Sequence, residues 1–125
     1  MHRLSHTNIV RPIGAFIPLG EDTRAPFLVM EFVDGCDLQQ AIHSPTHQSV
    51  VKGTTRKVDI LRQIAVGMSY MHEMDVIHRD LKPANVLVPG NKGAVKIADF
   101  GIAKIVQETT ISQSPTTTER VAIAG

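Results

Sequence analysis

Cysteine is almost absent from this chain: Cys36 is the single one in 125 residues. An internal disulfide framework and a Cys-rich zinc site are therefore excluded. Neither sign of charge prevails, since 13 Lys and Arg face 12 Asp and Glu for a formal net charge of +1. There is no basic field for nucleic acid and no polybasic patch for a membrane surface. No apolar run approaches the roughly 20 residues that a membrane-spanning helix needs. The opening stretch, Met1-His2-Arg3-Leu4-Ser5-His6, lacks the apolar segment of a secretory signal. One thiol and no targeting segment lead us to expect a reducing, cytoplasmic location. What is present is an ordinary globular composition, 42% hydrophobic and 20% charged. A chain of this size forms one domain at most, burying about two thirds of its unfolded surface.

Residues 13–16 and 27–31 are short apolar runs separated by Pro18, Gly20 and Pro26, a pattern that predicts an antiparallel strand pair with a loose loop. Asp34-Gly35 breaks the second run, and residues 37–42 predict a short helix that Pro45 prevents from continuing. After a polar stretch, Thr54 or Thr55 is a candidate N-cap. From there Val58, Leu61, Ile64, Ala65, Met68 and Met71 recur at helical spacing, so a long helix is expected to end near His72. Met68, Tyr70 and Met71 read as packing residues of that helix. Val86-Leu87-Val88 and Val95-Lys96-Ile97-Ala98, joined by Pro89-Gly90-Asn91-Lys92-Gly93, predict a hairpin. Further on, seven of the ten residues 109–118 are Ser or Thr, too polar to bury much surface.

Two clusters carry chemistry. His78-Arg79-Asp80-Leu81-Lys82-Pro83-Ala84-Asn85 lies between the long helix and one strand of the hairpin, and Asp99-Phe100-Gly101 directly follows the other strand. Loops at strand ends, held by a hairpin and a helix, commonly display catalytic side chains. Asp80, Asp99 and Asn85 supply hard oxygen ligands of the kind Mg²⁺ takes while sharing phosphate oxygens. Lys82 beside them suits a phosphoryl group, whose transfer depends on positioning and charge neutralisation. A single loop Asp is more often a turn or cap residue, and Asp-Phe-Gly alone could be a tight turn; the joint pattern is what points to a metal–phosphate site. His43 and His47 stand four apart, but Pro45 between them makes loop histidines the better reading. Cys36 has a reactivity that the sequence does not set.

The two clusters, with the hairpin between them, resemble the catalytic loop and magnesium loop of protein kinases. The likeness extends to Leu4-Ser5-His6-Thr7-Asn8-Ile9-Val10, similar to the stretch joining the regulatory helix to the fourth strand, and to Phe27-Leu28-Val29-Met30-Glu31-Phe32-Val33, similar to the fifth strand and hinge. The resemblance implies an α+β, two-lobed fold, with residues 1–33 as the end of the small lobe and hinge and residues 34–125 as the start of the large lobe. It implies ATP and Mg²⁺ as cofactors and a protein with a Ser/Thr hydroxyl as acceptor. Met30 would be the gatekeeper, the backbone of Glu31 and Val33 would bond the adenine edge, and Leu87 would pack beneath the ring. Asp37 would reach the ribose; as a helix N-terminal carboxylate it has an equally good structural reading, and the two are compatible. Asp80 would accept or orient the substrate hydroxyl, Asn85 and Asp99 would hold Mg²⁺, and Lys82 would neutralise the γ-phosphoryl group. His78 would position the loop. Arg79 would pair with a phosphate on the following segment, for which Thr116, Thr117 and Thr118 are the candidates. The Lys-Pro-Ala-Asn form resembles Ser/Thr-specific members.

The chain also departs from the family pattern. The Gly-rich phosphate loop, the strand lysine with its glutamate, and the Ala-Pro-Glu motif do not occur in the 125 residues. Val121-Ala122-Ile123 has no Lys after it, and Pro12 occupies a position usually filled by an apolar side chain such as Leu. We therefore expect a partial kinase domain. The alternatives are a truncated or pseudokinase-like module that only binds partners and, further off, a metal phosphohydrolase using Asp80 and Asp99.

Overall fold

The computed structural model describes residues 5–16, 18, 20–21, 23–91, 93–98 and 122–123. The expected strand pair is present: β1 (Pro12–Phe16) lies antiparallel to β2 (Phe27–Met30), with Phe16 opposite Phe27 and an irregularity between Pro12 and Gly14. The two phenyl rings stack with centroids 5.2 Å apart, and the Arg24 guanidinium sits 4.6 Å over the Phe16 ring, so the loop end of the hairpin is fastened by aromatic and cation–π contact. A two-residue strand, Ala122–Ile123, pairs antiparallel with the other edge of β1.

A second antiparallel sheet contains β3 (Gly35–Asp37), β4 (Val86–Pro89) and β5 (Lys96–Ile97), in that order across the sheet. The hairpin between β4 and β5 was expected; β3 was not. Asp34-Gly35 does interrupt the preceding strand, but the chain then pairs with β4, Cys36 opposite Val88 and Asp37 opposite Leu87. Glycine is required at the start of β3, because a Cβ on Gly35 would run into the Val88 carbonyl oxygen and stand 2.7 Å from Pro89 Cα.

Asp37 ends β3 and caps α1 (Leu38–His43). Its Oδ1 accepts from the Gln40 N–H at 2.8 Å, while Gln40 Oε1 accepts from the Asp37 N–H at 3.4 Å, a reciprocal capping box. A 3₁₀ turn (Gln48–Val51) leads to the long helix α2 (Thr54–Glu73), which extends one residue past the expected end. Neither threonine caps α2. Gly53 does so at φ +89°, a backbone conformation that L side chains rarely adopt, and Thr54 and Thr55 lie within the first turn. The helix closes in a Schellman motif, with Asp75 at φ 56°, the Asp75 N–H on the His72 carbonyl and the Val76 N–H on the Met71 carbonyl at 2.9 Å. Val76 and Met71 are both buried, which supplies the apolar contact that accompanies this motif.

Two apolar clusters form the core. Ile9, Val10, Met71, Val76, Ile97 and Ala98 make one, against which Met68 and Tyr70 pack as expected. Cys36, Ala41, Val51, Ile60, Val86, Val88 and Val95 make the other, and Ile64 touches both. Full burial of side chains of this size contributes about 1.5–3 kcal/mol each. The sheet and α2 meet closely at Gly67, where an added methyl would lie 2.9 Å from both the Asn8 carbonyl oxygen and Ile97 Cδ1. On the opposite side of α2, Val58 and Leu61 remain 59% and 65% exposed, so part of the apolar stripe that defines the helix is uncovered. Among the described residues no helix is long and apolar enough to cross a membrane.

The Gly67 contact gives a direct test. Gly67→Ala adds an atom facing backbone on one side and a packed isoleucine on the other, so the helix must shift outward. We expect a loss of about 1–3 kcal/mol, the usual cost of overpacking, despite alanine's better helix propensity. Chemical denaturation of the full-length protein measures it, and an unchanged or raised midpoint would contradict the packing.

Candidate active site

Asp80 lies in the loop between α2 and the 3₁₀ turn Pro83–Asn85, and that loop is braced from within. His78 is buried. Its Nδ1 accepts from the Asp80 N–H at 3.2 Å, so its proton is on Nε2, which donates to the Ala98 carbonyl at 2.8 Å. One imidazole thus ties the loop to the residue after β5, the positioning role expected of it. Arg79, between His78 and Asp80, is exposed and has φ 67°, an uncommon conformation for a non-glycine residue.

Asn85 supplies the second brace. It is 5% exposed, and its Nδ2 donates to the Asp80 carbonyl at 2.8 Å and to Asp80 Oδ2 at 3.2 Å. A carbonyl oxygen can only accept, so the amide orientation is fixed and Oδ1 is turned away from Asp80 as a hard oxygen donor. The Asn85 backbone carbonyl also accepts from the Ala98 N–H at 2.8 Å. Both polar groups of Ala98 are therefore held by the loop. Asp99 comes next in the chain; it lies outside the described residues, as do Thr116, Thr117 and Thr118.

Lys82 Nζ stands 3.0 Å from Asp80 Oδ2, both side chains being more than half exposed. The hydrogen bond from Lys82 lowers the Asp80 carboxyl below its ordinary range; slight desolvation opposes this, and the Lys82 charge and the Asn85 amide add to the lowering. Asp80 is thus a firmly ionised, weakly basic carboxylate at neutral pH.

The residues expected around the base of a nucleotide form a second group. The Glu31 N–H is occupied by the Arg11 carbonyl at 3.0 Å, so any edge contact from Glu31 backbone falls to its carbonyl. Its side chain accepts from Lys96 Nζ at 2.9 Å and from the Arg11 N–H at 2.8 Å. Burial works to raise the Glu31 carboxyl, but these two hydrogen bonds outweigh it and hold the carboxyl low. Lys96 pairs across the sheet with Leu87, and Leu87 with Asp37, so Glu31, Lys96, Leu87 and Asp37 follow one another from the end of β2 to α1. Val33 and Leu87 are partly buried against the first core cluster, while Met30 is 39% exposed at the end of β2. Asp37 has the capping role. Cys36 is buried, and burial together with the neighbouring Asp37 charge pushes its thiol up, away from reactivity. Of the two histidines expected in a loop, His43 is instead the last residue of α1, because Ser44 and Pro45 end the helix one residue later than expected, while His47 precedes the 3₁₀ turn Gln48–Val51. Among the described residues no three His, Cys, Asp or Glu side chains converge as a metal cluster.

Asn8 and Gln63 escaped the sequence reading. Asn8 is 7% exposed and bridges α2 to the backbone of Val95, through Gln63 Oε1 at 3.0 Å and the Val95 carbonyl at 2.9 Å. An Asn in a loop start and a Gln on a helix carry no spacing signal; the only sign was two polar residues beside apolar runs that must be buried.

With this geometry, comparison with known proteins is specific. The protein kinase domain family matches residues 1–122. The chain is 41% identical over 116 residues to the probable serine/threonine-protein kinase PknB of Lactococcus lactis subsp. lactis, covering 93% of this chain and 17% of that protein. It is 40% identical over 106 residues to the serine/threonine-protein kinase RAD53 of Saccharomyces cerevisiae (84% of this chain, 12% of that protein) and 39% identical over 123 residues to the serine/threonine-protein kinase STY46 of Arabidopsis thaliana (96% and 20%). The chain belongs to the protein kinase family. It spans 12–20% of the length of these three relatives.

Removing the Lys82 ammonium by Lys82→Met is expected to move the Asp80 titration upward, toward the ordinary value of about 3.9. Because the folded-state pKa is the lowered one, the stabilisation it gives is present above the unfolded value and is lost as pH falls through the folded value. The acid limb of a stability–pH curve is therefore expected to flatten slightly in the variant. Carboxyl ¹³C titration measures the shift, and an unmoved Asp80 would show that Lys82 does not set it.

Proposed function

We infer that this chain carries the hinge, catalytic loop and magnesium loop of a protein serine/threonine kinase, a transferase moving the γ-phosphoryl group of ATP to a hydroxyl of a protein substrate. What supports the reading is the convergence on Asp80 of the Lys82 ammonium and the Asn85 amide, in a loop whose other contacts hold Ala98. Membership of the kinase family and the serine/threonine names of its relatives agree with it.

Asp80 receives the acceptor hydroxyl. Being ionised but weakly basic, it orients the O–H toward the phosphorus and takes the proton once bond formation has acidified the oxygen. Lys82, released from Asp80 to the incoming phosphoryl oxygens, neutralises charge there. The Asn85 amide fits a magnesium ligand set, because its hydrogens are spent on Asp80 and its Oδ1 is a neutral hard oxygen; Asp99 would complete the protein's share. Magnesium supplies charge neutralisation on the nucleotide phosphates. The Glu31 carbonyl and Val33 N–H would meet the adenine edge beside Met30, Leu87 would lie under the ring, and Asp37 could reach the ribose without leaving its cap. A phosphate on Thr116, Thr117 or Thr118 would pair with the exposed Arg79 and so couple modification to the Asp80 loop.

The decisive variant is Asp80→Asn in the full-length protein. We expect kcat to fall about 10²–10⁴-fold while the ATP KM stays near its original value, since Asp80 meets the acceptor rather than the nucleotide. Steady-state phosphorylation of a protein substrate measures both, and a near-normal kcat would remove Asp80 from the chemistry.

A further inference from the structure

Gln63 sits mid-way along α2, half-buried, with both the oxygen and the nitrogen of its amide engaged by fixed neighbours. Its Oε1 accepts from the Val95 N–H at 2.8 Å and from Asn8 Nδ2 at 3.0 Å, and its Nε2 donates to Asp59 Oδ2 at 2.8 Å. A backbone N–H can only donate and an ionised carboxylate can only accept, so the amide has one orientation. Asp59 is itself held by Arg56 Nη1 at 3.1 Å and Arg62 Nη2 at 2.8 Å, and the bonds from Arg62 and Gln63 keep its carboxyl low and ionised.

The position of this amide matters because of where the strand ladder stops. The β4–β5 register pairs Val86 with Ile97 and Leu87 with Lys96 and goes no further. At Val95 both backbone polar groups are taken by side chains instead, the N–H by Gln63 and the carbonyl by Asn8. Ile97 then donates to the Asn8 carbonyl at 2.9 Å, and Ala98 is held by Asn85 and His78. A helix side chain therefore fixes the strand three residues before the loop residues grip it.

We propose that Gln63 is a positioning residue of the phosphoryl-transfer site: it sets the height of β5 on α2, and through β5 the placement of Ala98 against His78 and Asn85. The consequence for catalysis rests on the kinase reading; the setting of the strand does not.

The test compares three variants of the full-length protein. Gln63→Leu removes the amide. The double variant Asp59→Asn with Gln63→Glu exchanges donor and acceptor. The new amide on the first turn of the pair then donates to the new carboxylate one turn on, whose other oxygen still accepts from Val95 and Asn8. Ile60→Val trims the packed face of the same helix without touching the network. In Gln63→Leu we expect amide exchange at Val95, Ile97 and Ala98 to speed up about tenfold or more, the Nε2–H resonance of His78 to shift, and kcat to fall on the order of tenfold with ATP KM little changed. The exchanged pair is expected to restore all three, and Ile60→Val to leave the His78 signal where it is. Wild-type exchange and an unmoved His78 resonance in Gln63→Leu would overturn the proposal. So would loss of both in the exchanged pair, a result that can be read even if Gln63→Leu does not fold, and so would the same His78 shift in Ile60→Val. If the wild type transfers no phosphate, the kinase reading falls alone, because exchange and the imidazole signal report on β5 without catalysis.

Discussion

A strand of two residues organises the candidate site. β5 has little ladder of its own, and three parts of the chain hold it: its hairpin partner β4 by regular pairing, the distant segment around Asn8 by backbone and side-chain bonds, and α2 by Gln63. These bonds are buried or partly buried, where each unsatisfied group costs about 1–3 kcal/mol. Among the described residues no buried side-chain polar atom is left without a partner. A fully satisfied polar network of this kind favours one register over its neighbours, because a slip by one residue would strand several groups at once.

The remaining geometry follows from that strand. Ala98, just past its end, is gripped by the His78 imidazole and the Asn85 backbone carbonyl, and the side chains of the same two residues fix Asp80. Lys96, on β5 itself, reaches Glu31 at the end of β2. The Asp80 loop and the segment around Glu31 are thus referred to one short element. Gly67 allows α2 to lie close enough for Gln63 to reach, which is why a helix-unfavourable residue is found in mid-helix.

Electrostatics at the site are local rather than global. The chain is nearly neutral, so no broad field draws in a nucleotide. Instead Lys82 lies against Asp80 and Lys96 against Glu31, and each pair keeps a carboxylate ionised where it is needed. The Asp80–Lys82 pair is open to water and is worth little to stability; its value lies in the state in which it holds the two groups.

Much of this was legible in the sequence. Helical spacing from Val58 to Met71 placed α2, short apolar runs placed both hairpins, and the paired loop motifs with their intervening hairpin identified the family and singled out Asp80, Lys82 and Asn85, which the structure brings together. These signals are local or nearly so, and local patterns survive in one dimension. The cap of α2 was not legible, because the threonines and the glycine have similar local merit and the positive φ that selects Gly53 comes from how the preceding turn enters the helix. Strand β3 could not be read because its three residues have no pattern of their own and become a strand only by meeting β4. Gln63 and Asn8 were silent for a deeper reason. A side-chain amide has meaning only once tertiary packing decides which backbone groups it faces, and Val95 comes within reach of Asn8 across 87 residues of chain. Local pattern was enough for the family and the long helix, and it marked the loop residues as candidates; tertiary structure alone decided what holds that loop in place, because those bonds join segments that carry no mark of one another.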